Sequence, residues 1–134
     1  MFNKKQTTDF SSFDTLIGKN TSFEGTLTAE GTVRIDGKIQ GDVEVKGDVF
    51  VGDTCEVVGN ITASNIIVGG HIKGNILAHE QLRLTSTGKI TGDISVKSLI
   101  IDENGVFEGN SKMTSAEVNS KHHLKEVKSS RVEN

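Results

Sequence analysis

The side chains of this chain that could do chemistry are few and scattered. His71 and His79 are separated by seven residues, about half of the repeat length described below, so they do not converge at one corner of the fold. A metal centre or a general base needs such convergence. His122 and His123 form an adjacent pair in a polar C-terminal stretch, which offers adventitious metal affinity at most. Cys55 is the lone cysteine, so it has no internal disulfide partner, as expected of a reducing compartment. It falls in the polar stretch Gly52–Val57, where a position exposed to solvent is expected. No Lys, Arg or His stands beside it to lower its pKa.

The segment from Gly31 to Lys38 approaches a phosphate-binding loop, but the spacing between Gly31 and Gly37 is one residue too long. Ile39 follows the lysine where a Ser or Thr is needed to meet the metal. A corner of a repeat unit is the simpler reading. No cofactor and no catalytic residue are expected.

Charge narrows the partner class. Residues 16–111 carry eight Lys or Arg against thirteen Asp or Glu, and residues 112–134 carry five against three. An acidic central region does not suit a phosphate backbone, so direct nucleic-acid binding is not expected. No apolar run reaches the length of a membrane span, and MFNKKQTTDF lacks the apolar stretch of a secretion signal. The sequons at Asn20 and Asn60 are therefore taken as chance.

What positions these residues is an internal repeat. All fifteen glycines lie between Gly18 and Gly109, and there is no Trp, Tyr or Pro. A unit of the form apolar, any, Gly, polar, apolar recurs around Gly25, Gly41, Gly59, Gly74, Gly92 and Gly109. The last copy ends in Ser111 where the others have an apolar residue. Apolar residues follow each glycine at the second position (Leu27, Val43, Ile61, Ile76, Ile94), and small or apolar ones at the fourth (Ala29, Val45, Ala63, Ala78, Val96). A further pair comes next: Val33/Ile35, Val49/Val51, Ile66/Val68, Leu82/Leu84 and Leu99/Ile101.

Period-two alternation marks strands with one buried face. A short unit repeated in this way stacks into a solenoid whose like residues form columns. The expected fold is all-β, a right-handed parallel β-helix of about six coils spanning 16–111. Tails at 1–15 and 112–134 are expected to be flexible. The drifting coil length argues against the regular hexapeptide repeat of a left-handed β-helix.

A β-helix exposes an unpaired backbone edge and an apolar layer at each end. Phe23 and Ile17 stand at one end of the columns, and Ile101, Val106 and Phe107 at the other. These five are the candidate polymer interface, with the Phe107 ring expected to be partly exposed in the free subunit. Phe10 and Phe13 are placed to cover part of the first coil. Joining like ends would give filaments without polarity. The competing classes are a monomeric or small-oligomer β-helix binding module and a left-handed β-helix enzyme.

Two stretches, Phe13–Gly25 (FDTLIGKNTSFEG) and Gly31–Val43 (GTVRIDGKIQGDV), resemble the opening of a bactofilin domain. The resemblance implies a right-handed triangular β-helix and self-assembly into a homopolymer without nucleotide. It also implies roles in cell shape or in positioning wall-synthesis or polar machinery, through client proteins the sequence does not name. Members of that family often carry a Met-Phe-x-Lys-Lys start that touches the cytoplasmic membrane, and Met1, Phe2, Lys4 and Lys5 fit it. A cytoplasmic protein, peripheral on the inner membrane face, is the resulting expectation.

Overall fold

The computed structural model describes residues 13–113. The expected membrane-contact residues Met1, Phe2, Lys4 and Lys5, with Phe10, lie outside the described residues, as does the C-terminal tail from residue 114. Thirteen strands and no helix make up the described chain. Seven of them, β1 (Thr15–Ile17), β3 (Leu27–Ile35), β5 (Val43–Val51), β7 (Ile61–Val68), β9 (Ile76–Leu84), β11 (Ile94–Ile101) and β13 (Ser111–Met113), form one sheet in that order. The other six, β2 (Ser22–Glu24), β4 (Lys38–Gln40), β6 (Glu56–Val58), β8 (His71–Lys73), β10 (Lys89–Thr91) and β12 (Val106–Glu108), form the second, also in sequence order. Every pairing is parallel. Strands of the two sheets alternate along the chain, long ones (β3 to β11) with short ones except at the three-residue ends β1 and β13, and each pairs with its like one coil away. The fold is the expected parallel β-solenoid.

The structure refines two details of that expectation. Each coil has two strands, because the strands of the seven-stranded sheet run through a bend instead of breaking at it. Gly31 and Gly47 sit at that bend with φ of 88° and 150°. β7 and β11 are one residue shorter there, and the register shift falls on these shorter crossings. The last strand also continues to Met113, two residues past the expected boundary. Ser111–Met113 repeats the alternation of Ile94–Val96 and pairs with it residue for residue.

The columns read from the sequence are the core. Val33, Val49, Ile66 and Leu82 stack along one line and Ile35, Val51, Val68 and Leu84 along the next, all buried. Ile39, Val57, Ile72 and Ile90 form the column of the short strands. At about 25 cal/mol per Å², a coil that buries five such side chains between two neighbours is held mainly by its apolar face.

Polar residues link the corners that follow β4, β6, β8, β10 and β12. The Asp42 carboxylate accepts from the Asn60 backbone N–H at 3.1 Å, and the Asn60 side-chain oxygen accepts from Asn75 N–H at 2.9 Å. Asn75 accepts from Asp93, and Asp93 from Asn110, at 3.1 and 3.2 Å. Each side chain thus satisfies a backbone donor one coil on. The glycine just before each of these residues has a strongly positive φ, 142° at Gly92. There the backbone closes on the coil below, so that a Cβ on Gly92 would collide with the Gly74 carbonyl.

Candidate functional site

No group of three or more His, Cys, Asp or Glu side chains that could hold a metal occurs among the described residues. His71 and His79 are both exposed, on different strands of different sheets, and do not meet. Gly31 to Lys38 runs from the bend inside β3 through the corner at Asp36 and Gly37 into β4, a part of the solenoid wall.

Cys55 corrects an expectation. It is buried, with 3% of its surface exposed. Its stretch closes in a turn in which the Cys55 N–H donates to the Gly52 carbonyl at 3.0 Å. The turn brings the residue before β6 back to the inside of the corner, a place that Gly37, Gly70, Gly88 and Gly105 fill in other coils. Burial, with the Asp36 and Glu56 carboxylates in support, pushes the thiol up from 9.0 to about 12. At pH 8 that makes the thiolate about a thousandfold scarcer than in an ordinary cysteine. Folded protein is therefore expected to react with a thiol-directed reagent only at the rate at which it opens, and denatured protein immediately. The same shift has a sign in stability. Below pH 9 the thiol is neutral in both states. Above it the unfolded thiol ionises first, so stability falls as pH rises toward about 12. Thermal melts of Cys55→Ala should lose this part of the alkaline decline.

The unusual surfaces are the two ends. Seven apolar residues pack on the core while staying only partly buried: Ile17, Phe23, Leu27 and Ala29, then Leu99, Ile101 and Met113. Each is the first or last member of an inward column. Ile17 precedes Ile35, Phe23 precedes Ile39, and Leu27 and Ala29 precede Val43 and Val45. Leu99 and Ile101 follow Leu82 and Leu84, and Met113 follows Val96. Among the described residues a coil covers each on one side only.

Of the five residues expected at the interface, Phe23, Ile17 and Ile101 belong to these end layers. Phe107 also stands in the last coil, opposite Ile90, but it is only 2% exposed. The expected partly exposed ring is not seen, although Phe107 stands last in its column among the described residues. Val106 points sideways with 41% exposure, in the outward column of Lys89 and His71. The structure adds Leu27, Ala29, Leu99 and Met113. The first three stood at the ends of columns already visible in the sequence, and Met113 lay past the expected boundary. Ser111 closes the column of Ile94 with a buried hydroxyl that has no hydrogen-bond partner.

Phe13 does not cover the first coil. Its ring meets Phe50 edge-on, with centroids 5.4 Å apart, and the Arg34 guanidinium lies 6.0 Å from its centre. Both partners point outward from long strands, so Phe13 lies on the side of the solenoid. Asp14 fixes the approach by donating its N–H to the Thr32 carbonyl at 2.7 Å and accepting from Thr32 N–H at 2.9 Å.

The described residues thus form a parallel β-solenoid whose apolar layers are left half-covered at both ends. The bactofilin family model, described as polymer-forming cytoskeletal, matches residues 15–112, and the chain belongs to that family. Among curated relatives, bactofilin BacP of Myxococcus xanthus is 30% identical over 104 residues, covering 78% of this chain and 43% of BacP. Bactofilin BacO of the same organism is 26% identical over 100 residues, covering 75% of this chain and 79% of BacO. The chain thus matches less than half the length of BacP. Among solved structures, the double helical filaments of Thermus thermophilus bactofilin superpose with a TM-score of 0.68 at 33% identity, over 72% of this chain and 96% of theirs. A crystal structure of a phenylalanine-to-arginine mutant of the Thermus protein gives 0.63 at 34% identity, over 65% and 97%.

Proposed function

We propose that this chain is a cytoskeletal scaffold subunit that stacks end to end into filaments without nucleotide or metal. One observation carries the reading: the half-covered apolar residues of the core are confined to the first and last coils. Stacking buries those layers and gives the unpaired edges of β1, β2, β12 and β13 a partner. The filaments formed by the Thermus relative support the same assembly, two strands wound together, for this chain. Joints between like ends would leave the filament without polarity. The filament would lie on the cytoplasmic membrane face, where it would support cell shape or hold wall-synthesis or polar machinery in place.

Met1, Phe2, Lys4 and Lys5 supply the membrane contact in this reading. One aromatic and two charges hold a monomer weakly, while a polymer presents them in many copies. Purified protein is expected to pellet and to show filaments by negative-stain microscopy in buffer with chelator and no nucleotide. A strict requirement for ATP or GTP, or a monomer at high concentration, defeats the proposal. Deleting residues 1–5 is expected to preserve the filaments and to abolish their flotation with anionic liposomes. Equal flotation of the deleted form removes the anchor from the account.

A further inference from the structure

The two sheets present different outer surfaces. On the short-strand sheet, one outward column reads Ser22, Lys38, Glu56, His71, Lys89 and Val106, and the flanking one is also mainly polar. Beside the corner glycines, the long strands present Thr28, Glu44, Thr62, Leu77, Ser95 and Lys112. Past their bend, the same strands carry another column in register: Leu16, Arg34, Phe50, Ile67, Arg83 and Ile100. Four of these six are large and apolar, and the column runs from the first coil to the last. Leu16 and Ile100, at its two ends, are 55% and 42% exposed.

The composition of this stripe is selective. Among the described residues both arginines stand in it, and both aromatics outside the inward columns are on it, Phe50 in the column and Phe13 packed against it. Arginine and aromatic residues are the types enriched where proteins meet. Each guanidinium is held by a carboxylate, Arg34 by Asp36 at 3.1 Å and Arg83 by Asp102 at 3.2 Å. The pairs cancel charge locally on a central region that is otherwise acidic. To a second copy this side offers apolar surface and locally neutral pairs.

We propose that this stripe is the lateral contact by which two filaments of this chain pair. The inference rests on the end-to-end stacking proposed above and names the side surface that stacking leaves open. The occupant is a second filament of the same chain, on grounds of area. A stripe one side chain wide and six coils long, about 30 Å, buries only a few hundred Å² per subunit. Stable interfaces need about 800 Å² per partner. Two free subunits therefore do not pair through it. A filament repeats the stripe in every subunit, and the contacts add along its length.

The test compares filaments of the full chain with those of Leu16→Glu and Ile100→Glu by cryo-electron microscopy. Leu77→Glu, an exposed apolar position on another face, is the control. Wild type and the control are expected to form paired filaments. The two stripe variants are expected to form single ones, the paired fraction falling about tenfold or more, with unchanged circular dichroism and melting temperature. Pairing retained in both stripe variants, pairing lost equally in Leu77→Glu, or a wild type that forms only single filaments each overturns the inference while leaving stacking intact. Absence of any wild-type filament overturns the stacking and the inference together. Should pairing appear only after residues 1–12 are deleted, the chain's own N-terminal segment occupies the stripe and the proposal is wrong.

Discussion

Phe23→Arg is expected to yield a folded subunit that no longer forms filaments. Among the described residues Phe23 is the first of its column, with Ile39 on one side and no coil on the other. In the free subunit an arginine there can turn its guanidinium out through the open end while its stem stays on the apolar layer. In a joint that charge is desolvated, and where like ends meet it faces its own copy. Loss of a buried interface aromatic costs about 2–4 kcal/mol. The concentration at which filaments appear should rise by roughly 30-fold to a thousandfold. Pelleting across a dilution series measures this, with circular dichroism as the check on folding. Filaments at the wild-type threshold would remove the N-terminal face from the joint. Leu99→Arg asks the same of the other face. Phe107→Arg is a poorer probe, because a buried ring links any effect on assembly to the folding of the last coil.

The opposite outcome is expected of Ile72→Arg. Ile72 is 1% exposed and lies between Val57 and Ile90, with a coil above and a coil below. A guanidinium there has no route to water and no carboxylate inside the solenoid to meet it. The loss should exceed about 4 kcal/mol, a large share of the roughly 5–15 kcal/mol that holds a domain folded. The variant is expected to be protease-sensitive and to lack the β signal in circular dichroism. A native-like spectrum at room temperature would contradict the column assignment. The same substitution thus has opposite consequences at Phe23 and at Ile72, although one pattern describes both residues. The difference lies in how many coils cover them.

The columns were legible because a solenoid writes its contacts into local spacing. Gly25, Gly41, Gly59, Gly74, Gly92 and Gly109 mark one corner of every coil, and the residue two places on is inward wherever a full coil surrounds it. What depends on the path of a corner was not legible. Cys55 sits among polar residues, which suggested exposure, yet the turn at Gly52 carries it inside. Alternation does not extend through a turn, so no pattern reported that inward step. Phe13 was assigned to the end of the fold by its place in the chain. Its contact with Phe50 depends on registry across 37 positions, which no local rule encodes. The side stripe was missed for a related reason. Its members stand between the paired inward residues, Arg34 between Val33 and Ile35 and Ile67 between Ile66 and Val68, and alternation marks them only as outward without saying what they meet.

The hydrogen bonds between coils point along the solenoid axis, while the covalent chain circles it. Tension on a stacked filament therefore loads all the bonds of one cross-section together. Between coils inside a subunit, the chain itself passes through the cross-section as an additional tether. At a joint there is no such tether. In the proposed filament the joint would be the mechanical fuse: an overload would part it there, leave each subunit wound, and expose two fresh faces able to rejoin once the load is gone.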